Sequence, residues 1–395
     1  MISIIGIGAE GEKTLTQQAK EAVENAELLI GAGRMLGPFA ELGKECFESY
    51  RPEEICGRIE KSPGTETAVL MSGDAGFYSG AKKLIKALEG KEVRVIAGIS
   101  TPVYMCAALG ISYENMKYVS LHGNDGNTAV NVKLNEYCFF LLGGGTSPSQ
   151  LCERLCRYGL GDVQVSIGSR LGYSDEKIVT DRADRLTGYE CDRLCAAVVH
   201  NSGYKGYMPS GIADSEFERT DIPMTKAEVR AAAVSALDIC RDSVCWDIGS
   251  GSGSVSVEMA YRCCDGKVYA FDKKAEAYEL TVRNAERFGC DNIKAAAGAA
   301  PLCLDDAPAP DKVFIGGSSG EIGGIFKAVK GKGRSADIVI TAVSLETLSA
   351  AEEAFSQYGA ECEITQIAVT RTRRAGSHRM LSALNPVFII RGRLS

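Results

Sequence analysis

A glycine-rich loop between a buried strand and a helix is the feature that most constrains the fold of this chain. Residues 244–248 form a short apolar run, residues 249–253 read Gly-Ser-Gly-Ser-Gly, and a helical pattern follows over residues 255–261. A second apolar run ends at Asp272, 19 residues after Gly253. Strand, glycine loop, helix, strand and acid form a nucleoside-binding α/β unit, in which the carboxylate accepts hydrogen bonds from the ribose hydroxyls.

The spacing of the glycines bears on which nucleoside is bound. The dinucleotide fingerprint requires a glycine where this chain has Ser254. A Gly-x-Gly-x-Gly loop preceded by Asp247 is typical of S-adenosylmethionine-dependent methyltransferases. The pattern therefore favours S-adenosylmethionine. The alternatives are a NAD-linked oxidoreductase, which Ser254 and the lack of a clear hydride-site base oppose, and a glycine turn without a ligand.

The length of 395 residues exceeds what one hydrophobic core usually serves and predicts two domains. Over residues 203–222 the apolar pattern lapses, and glycine and proline alternate with acidic residues. We predict a first domain over residues 1–205, a linker over residues 206–221 and a second domain over residues 222–395.

Both predicted domains alternate short apolar runs with helical patterns, which indicates α/β folds with largely parallel sheets. In the first domain we predict strands over residues 2–7, 67–71, 93–97, 138–142 and 196–200, and helices over residues 15–26, 80–88 and 148–158. In the second we predict helices over residues 225–237 and 255–261, and strands over residues 244–248, 267–271, 312–315, 338–341, 363–369 and 387–390.

Composition excludes several functional classes. The net charge is −7 and both halves are acidic, so nucleic acid is not an expected partner. No apolar run is long enough to span a bilayer, and the amino terminus lacks the basic region of a signal peptide, so we expect a cytoplasmic protein. The 15 cysteines include no Cys-x-x-Cys pair and accompany only three histidines, which predicts reduced thiols and no metal site.

The second domain resembles a family of cobalamin-pathway enzymes that methylate carbon 15 of precorrin and decarboxylate an acetate arm. The matching segments are residues 222–230, 298–301, 314–321, 341–347 and 384–387. The resemblance implies a Rossmann-like class I methyltransferase fold. The residues it implies for cofactor binding are Thr225, Gly249, Ser250, Gly251, Ser252, Gly253, Asp272 and Ala300.

The first domain resembles the tetrapyrrole methylases through residues 5–8, 73–78, 98–101, 142–144 and 168–173. That resemblance implies a different, two-lobed α/β fold that binds S-adenosylmethionine in the cleft between its lobes. The residues it implies for cofactor binding are Gly8, Gly73, Asp74, Phe77, Ser100, Thr101, Leu142 and Gly143.

The order of the two domains is that of the bifunctional, decarboxylating precorrin-6Y C(5),C(15)-methyltransferase family. The resemblance implies two S-adenosylmethionine sites per chain, methylation of carbon 5 by the first domain, and methylation of carbon 15 with decarboxylation by the second. It also implies a precorrin or cobalt-precorrin substrate and a homo-oligomer. The alternative function is methylation of another tetrapyrrole, such as a siroheme-type substrate. The presence of the second domain argues against it.

Methyl transfer from a sulfonium is an in-line displacement that needs alignment more than a dedicated base, so no catalytic residue is predicted. A macrocycle with several carboxylate arms calls for arginines and apolar walls. The candidate substrate-binding residues are His122 in the first domain and Arg371, Arg373, His378 and Arg379 in the second. The alternatives are a structural histidine and a solvated basic loop.

Overall fold

The computed structural model describes residues 1–9, 14–123, 125–208 and 210–395. Part of the first glycine loop, Glu10 to Glu12, and Pro209 of the predicted linker lie outside the described residues. Among the helices of the described ranges, none is long and apolar enough to cross a membrane.

The first lobe is a parallel five-stranded sheet with strand order β3-β2-β4-β1-β5. Its inner strands carry almost unbroken buried apolar residues because helices cover both faces. The strands are β1 (Ile2–Gly6), β2 (Leu28–Gly31), β3 (Glu45–Glu48), β4 (Thr67–Met71) and β5 (Val93–Ile96). The helices are α1 (Gln17–Asn25), α2 (Gly33–Leu36), α3 (Pro52–Glu60), α4 (Ala81–Ala87) and α5 (Thr101–Leu109).

The second lobe is a mixed sheet with strand order β6-β7-β10-β8-β9. Only β6 and β7 pair in parallel, so the expectation of a largely parallel sheet is wrong for this lobe. A connection of seven residues joins β8 to β9, which is too short for a parallel crossover. The elements are β6 (Lys117–Ser120), α6 (Ala129–Leu134), β7 (Tyr137–Leu141), α7 (Pro148–Arg157), β8 (Gln164–Ser169), β9 (Lys177–Arg182) and β10 (Cys195–His200).

The rest of the chain forms a seven-stranded sheet with strand order β13-β12-β11-β14-β15-β19-β16. The first five strands are parallel, and β19 runs antiparallel between β15 and β16. Alternate residues of β11 enter the two cores, Cys245 on one face and Trp246 on the other. The strands are β11 (Val244–Ile248), β12 (Lys267–Asp272), β13 (Ile293–Ala297), β14 (Lys312–Ile315), β15 (Ala336–Ala342), β16 (Cys362–Ile367) and β19 (Val387–Leu394). The helices are α8 (Ala227–Ala236), α9 (Ser254–Arg262), α10 (Ala275–Phe288), α11 (Ile322–Gly331) and α12 (Leu345–Gln357).

The basic segment near the carboxyl terminus is a β-hairpin and not a loop. Strands β17 (Thr370–Ala375) and β18 (His378–Ala383) pair antiparallel, with Arg374 opposite Arg379. Most side chains of both strands are exposed, which leaves the hairpin outside the two cores of the third sheet.

The segment just before residue 222 packs on the third sheet's helices. Ile212 and Phe217 are buried in the core cluster beneath α8 and α9. The amides of Gly211 and Ile212 donate to the Glu258 carboxylate, each at 3.0 Å. The buried Arg230 guanidinium donates to the same carboxylate at 2.5 Å. This part of the chain is therefore anchored by a buried ion pair.

Candidate functional site

A cleft of about 830 Å³ opens at the carboxyl ends of strands β11, β12, β14 and β15. Parallel strands end at a common edge, and the loops that follow them meet there. The cleft is lined by most of the residues predicted for cofactor binding in the second domain, namely Thr225, Gly249, Ser250, Gly251, Ser252, Asp272 and Ala300.

The glycine loop is shaped by close backbone contacts. Gly249 has φ +75°, and its amide donates to the carbonyl of Phe271 at 2.9 Å. A Cβ at Gly249 would lie 2.6 Å from the carbonyl oxygen of Gly317. At Gly251, with φ +56°, a Cβ would lie 3.0 Å from the carbonyl oxygen of Pro223. Glycine is therefore required where the loop approaches the neighbouring segments of the cleft.

Gly253 serves the packing of two helices and does not line the cleft. It precedes α9 with φ +71°, and a Cβ there would lie 2.9 Å from the Cα of Thr281 on α10. Its glycine requirement comes from this helix contact. Its predicted contact with a cofactor stays a prediction.

Asp272 ends β12 at the rim of the glycine loop. One carboxylate oxygen accepts the Gly251 amide at 2.9 Å, and the other accepts the Lys274 amide at 3.0 Å. A carboxylate has about four lone-pair positions, so each oxygen can accept one more hydrogen bond. The geometry orients the side chain and leaves acceptors for two hydroxyl groups.

Asp247 is fully buried behind the same loop. Burial raises the pKa of its carboxyl to about 7, against hydrogen bonds from Ser256 that favour the ionised form. The Ser256 hydroxyl donates to Oδ2, whereas Oδ1 has no partner among the described residues. The buried hydroxyl of Ser252, a cleft residue, is also unpaired within those ranges. The orphaned hydroxyl of Ser252 fits a site whose polar ligand completes its hydrogen bonds, whereas Asp247 does not line the cleft.

Three lysines line this cleft and were not predicted: Lys226, Lys273 and Lys274. Lys273 Nζ donates to the hydroxyl of Ser319 at 2.8 Å, which connects the loops after β12 and β14. Lys273 and Lys274 could have been predicted from the sequence, because they directly follow Asp272 at the end of a predicted strand.

The basic residues predicted to bind substrate in the second domain do not line the cleft. Arg371 is bound by two acids, Asp214 at 3.1 Å and Glu228 at 2.5 Å. The hydrogen bond from Arg371 lowers the pKa of Glu228. Arg373, His378 and Arg379 lie on the exposed hairpin β17–β18. The structure thus gives Arg371 an anchoring contact, and substrate binding by the four residues stays a prediction.

A smaller cleft, of about 400 Å³, lies between the two lobes of residues 1–200. We call it the first cleft because it belongs to the first domain, and the cleft of about 830 Å³ is the second cleft. Ser100 and Gly143, also predicted, are not among its lining residues. The predicted residues that line it are Gly8, Gly73, Asp74, Phe77, Thr101, His122 and Leu142.

Asp74 and a set of glycines join the loops of the first lobe. Gly8 and Gly73 exchange two backbone hydrogen bonds of 3.0 Å. The Asp74 carboxylate accepts the Gly76 amide at 2.7 Å and the Gly98 amide at 2.9 Å. A Cβ at Gly98 would collide with the carbonyl oxygen of Gly73. Asp74 therefore orders the loops of the cleft, and its predicted contact with a cofactor stays a prediction.

Aromatic and cationic side chains complete the first cleft. Phe77 packs edge-on against Phe139, with ring centroids 6.0 Å apart. Arg34 from the first lobe and Arg193 from the second line the cleft, and within the described ranges neither forms an ion pair with an acid. Sequence reasoning missed Arg34 because it follows β2, which was not predicted.

Comparisons with known proteins match the two halves of the chain to two different families. Residues 216–392 match the family described as precorrin methyltransferase domain, and residues 1–187 match the tetrapyrrole (corrin/porphyrin) methylases. A probable cobalt-precorrin-6B C(15)-methyltransferase (decarboxylating) from Pyrobaculum calidifontis is 46% identical over 187 residues, covering 47% of this chain and 96% of the relative.

A further relative matches most of the chain, and another similarity is to a solved crystal structure. A precorrin-6Y C(5,15)-methyltransferase [decarboxylating] from Sinorhizobium sp is 28% identical over 352 residues, covering 87% of this chain and 85% of that protein. A crystal structure of a precorrin-6y C5,15-methyltransferase from Geobacter metallireducens GS-15 has 38% identity and a TM-score of 0.44, covering 46% of this chain and 95% of that one. The chain therefore belongs, through its carboxyl-terminal half, to the decarboxylating precorrin methyltransferase family, whose members use S-adenosylmethionine, and it carries a tetrapyrrole methylase domain ahead of that half.

Proposed function

We propose that this chain methylates a precorrin macrocycle at carbons 5 and 15 and decarboxylates one acetate arm, using S-adenosylmethionine in two clefts. The observation that carries the proposal is the presence, in one chain, of two separate clefts built on glycine loops. A relative that covers 87% of this chain has the corresponding two-position name. The proposed division is residues 1–205, a linker over 206–221, and residues 222–395, in a cytoplasmic homo-oligomer.

The second cleft is proposed as the carbon-15 and decarboxylation site in a Rossmann-like methyltransferase fold. Five parallel strands with the glycine loop after the central β11 support that fold. Asp272 would accept the ribose hydroxyls, and the Gly251 region would lie along the methionine part of the cofactor. Ser252 and Ala300 line the same cleft and would complete the cofactor site.

The first cleft is proposed as the carbon-5 site. Gly73, Thr101 and Leu142 would surround the cofactor between the lobes, with Asp74 holding the loops in place. His122, exposed on the second lobe, would face the substrate side.

The chemistry asks the protein for alignment and exclusion of water. When bound, S-adenosylmethionine would supply a methyl group to a ring carbon. Its sulfonium sulfur would keep the electron pair of the broken bond as a neutral thioether, and the methylated ring would lose a proton. Loss of the acetate carboxylate as carbon dioxide leaves an electron pair on the arm's carbon, which takes up a proton. Cations close to the arms stabilise the carboxylates that remain.

Both clefts contain cations suited to a polycarboxylate. Lys226 and Lys274 line the second cleft without an acidic partner in the described part of the chain, and Arg34 and Arg193 do so in the first. We propose that these side chains bind the carboxylate arms.

Product masses from two variants of the full chain test the division of labour. Gly251→Val puts a branched side chain where φ is positive and the loop meets Pro223. It should abolish the reaction of the second cleft, which adds one methyl (about 14 Da) and removes carbon dioxide (about 44 Da). The product of this variant should therefore lack that methyl and keep that carboxylate. Gly98→Ala distorts the first cleft, and it should remove only the other methyl.

The control is Gly331→Ala, at a glycine in α11 whose Cβ would meet no atom within 4 Å. It should leave both reactions intact. If Gly98→Ala stops carbon dioxide release and spares one methylation, the assignment of the two reactions to the two clefts is reversed. If neither methyl is ever transferred by the unaltered chain, the proposed function is wrong.

A further inference from the structure

The contact between the two domains is built around a buried carboxylate. Asp291, which follows α10, accepts the Thr128 amide at 2.6 Å, the Thr128 hydroxyl at 2.7 Å and the Val130 amide at 3.0 Å. Its exposed fraction is only 7%. The first turn of α6 in the first domain therefore receives its hydrogen-bond acceptor from the second domain.

Buried asparagines extend this contact. Asn127 Nδ2 donates to the carbonyls of Cys264 and Gly266, both at 2.8 Å. Asn131 Nδ2 donates to Cys264 as well, at 3.2 Å. Val130 is fully buried in a core cluster otherwise formed from residue 212 onward. Both the polar and the apolar parts of this contact exclude solvent.

Ion pairs surround the buried contact. Lys117 Nζ lies 2.6 Å from Asp265, and Asp125 lies 3.2 Å from Lys267 and 3.1 Å from Lys294. Burial acts to raise the pKa of Asp125, but these lysines hold it below its ordinary value. The rim therefore adds charge complementarity to a contact already closed at its centre.

The contact lies at the amino edge of the third sheet. Its second-domain groups lie just before or at the first residues of β12 and β13, at residues 264–267 and 290–294. The large cleft lies where these strands end. Strand β12 has six residues, which at about 3.3 Å each separates the two edges by about 20 Å.

The two clefts share no wall. Every described lining residue of the first cleft lies between residues 8 and 195, and every one of the second lies between residues 222 and 387. A polar cavity of about 470 Å³ does cross the domain contact, between Arg157 and Lys294, but no residue of either cleft lines it. None of these three cavities, as lined by the described residues, connects one site with the other.

We propose that the tetrapyrrole intermediate leaves the protein between the two methylations and reaches the second cleft through solvent. The proposal rests on the proposed function. It follows from the docking of the first domain on the edge of the sheet opposite the second cleft. Opening this contact to form a direct route would break the hydrogen bonds that Asp291, Asn127 and Asn131 make across it, and it would expose the buried Val130 to solvent.

Isotope dilution on the unaltered full-length chain tests this. The enzyme is supplied with S-adenosylmethionine that carries a trideuterated methyl. Unlabelled intermediate is made beforehand with the single-cleft variant that completes the first reaction. It is then added in increasing excess. We expect the initial rate of doubly deuterated product to fall in proportion to the labelled fraction of the intermediate pool. A rate of doubly deuterated product that the added intermediate does not change would overturn the proposal.

A mixture of the full-length Gly251→Val and Gly98→Ala variants gives an independent measurement. Neither variant alone should form the final product, and the mixture should form it after a lag that shortens as the protein concentration rises. A mixture that performs both half-reactions but forms no final product would contradict release. Failure of the proposed function differs from both results, because then no deuterated methyl appears in any product.

Discussion

Asp247 and Asp272 have the same side chain and opposite surroundings, although both belong to the glycine-loop unit. Asp272 lies at the open rim, oriented by two backbone amides. Asp247 is fully buried, and one of its oxygens has no partner among the described residues. The first is suited to binding a ligand as an anion, and the second to holding a proton near neutral pH.

Replacing Asp272 should weaken cofactor binding in the second cleft only. Asp272→Ala removes charge-assisted hydrogen bonds worth roughly 1.5–3 kcal/mol, which corresponds to a tenfold to hundredfold loss of affinity. Calorimetric titration with S-adenosylmethionine should show one weakened and one unchanged site. The control is Asp306→Ala, at an exposed acid away from the cleft. Unchanged affinity at both sites would remove Asp272 from the cofactor site.

Asp247 should make stability depend on pH. Its folded pKa of about 7 lies above the ordinary value of 3.8, so the folded state retains a proton that the unfolded state releases. The carboxyl therefore lowers the free energy of unfolding progressively as pH rises from about 4 to about 7, by at most about 4 kcal/mol.

Asp247→Asn imitates the protonated acid and should remove this dependence. The Tm of Asp247→Asn should rise relative to that of the unaltered chain between pH 4 and pH 7, by the equivalent of at most about 4 kcal/mol in the free energy of unfolding. Thermal melts at fixed ionic strength measure it. Parallel pH profiles of Tm for the two proteins would show that the carboxyl does not titrate in this range.

The unpaired arginines of the first cleft should control substrate affinity. Arg34→Gln and Arg193→Gln each remove one charge-assisted contact to a carboxylate arm, which should raise KM of the first-cleft methylation about tenfold or more with little change in kcat. Arg185→Gln, at an exposed arginine outside the cleft, is the matched control. The second-cleft reaction should not change. A fall in kcat without a rise in KM would argue against arm binding.

At the scale of the elements, ion pairs of Arg371 link the hairpin β17–β18 to a distant segment of the chain. Arg371 bonds Asp214 before α8 and Glu228 within it, and so ties the hairpin to the segment that enters the second domain. A role in anchoring and a role in binding substrate make different predictions for the same substitution.

Arg371→Gln should free the hairpin without emptying the cleft. We expect faster proteolysis within residues 370–383 and unchanged affinity for S-adenosylmethionine, because neither the hairpin nor Arg371 lines the cleft. Arg379→Gln is the control, since Arg379 forms no ion pair in the described part of the chain. If Arg371→Gln raises KM of the second reaction while the hairpin stays resistant to protease, the substrate-binding role predicted from sequence is supported.

At the scale of the whole molecule, the domain contact changes what fragments can be expected to do. From the sequence, residues 1–205 and residues 218–395 should each bind cofactor alone. The structure shows that such a cut exposes Val130 and leaves Asp291 and Asn127 without partners. Both fragments should therefore be less stable than the same domains in the intact chain.

Asp291→Ala should uncouple the domains. It removes three hydrogen bonds to a buried carboxylate. A hydrogen bond to a charged group contributes roughly 1.5–3 kcal/mol, and the Thr128 and Val130 amides lose their acceptor. Scanning calorimetry should show one cooperative transition separating into two. Glu286→Ala, which breaks the exposed ion pair with Arg157, should change the free energy of unfolding by about 1 kcal/mol or less. A single transition in Asp291→Ala would show that this contact does not couple the domains.

The sequence by itself determined the parts of the fold whose signal is local. Strands β4, β11 and β14 begin and end as predicted, because a strand buried on both faces reads as one apolar run. The glycine loop after β11 and the position of Asp272 were equally readable, since a tight turn and a strand end depend on neighbouring residues. Strands β8, β9, β17 and β18 were missed because polar or exposed side chains interrupt their apolar pattern.

The tertiary structure alone decided which distant residues meet. The sequence does not show that Arg371 binds Asp214, or that Asp291 closes the first turn of a helix in the other domain. These contacts join residues more than 150 positions apart, so no periodicity or local spacing records them. The same holds for the placement of the two clefts, because which edge of a sheet receives another domain depends on the packing of whole surfaces.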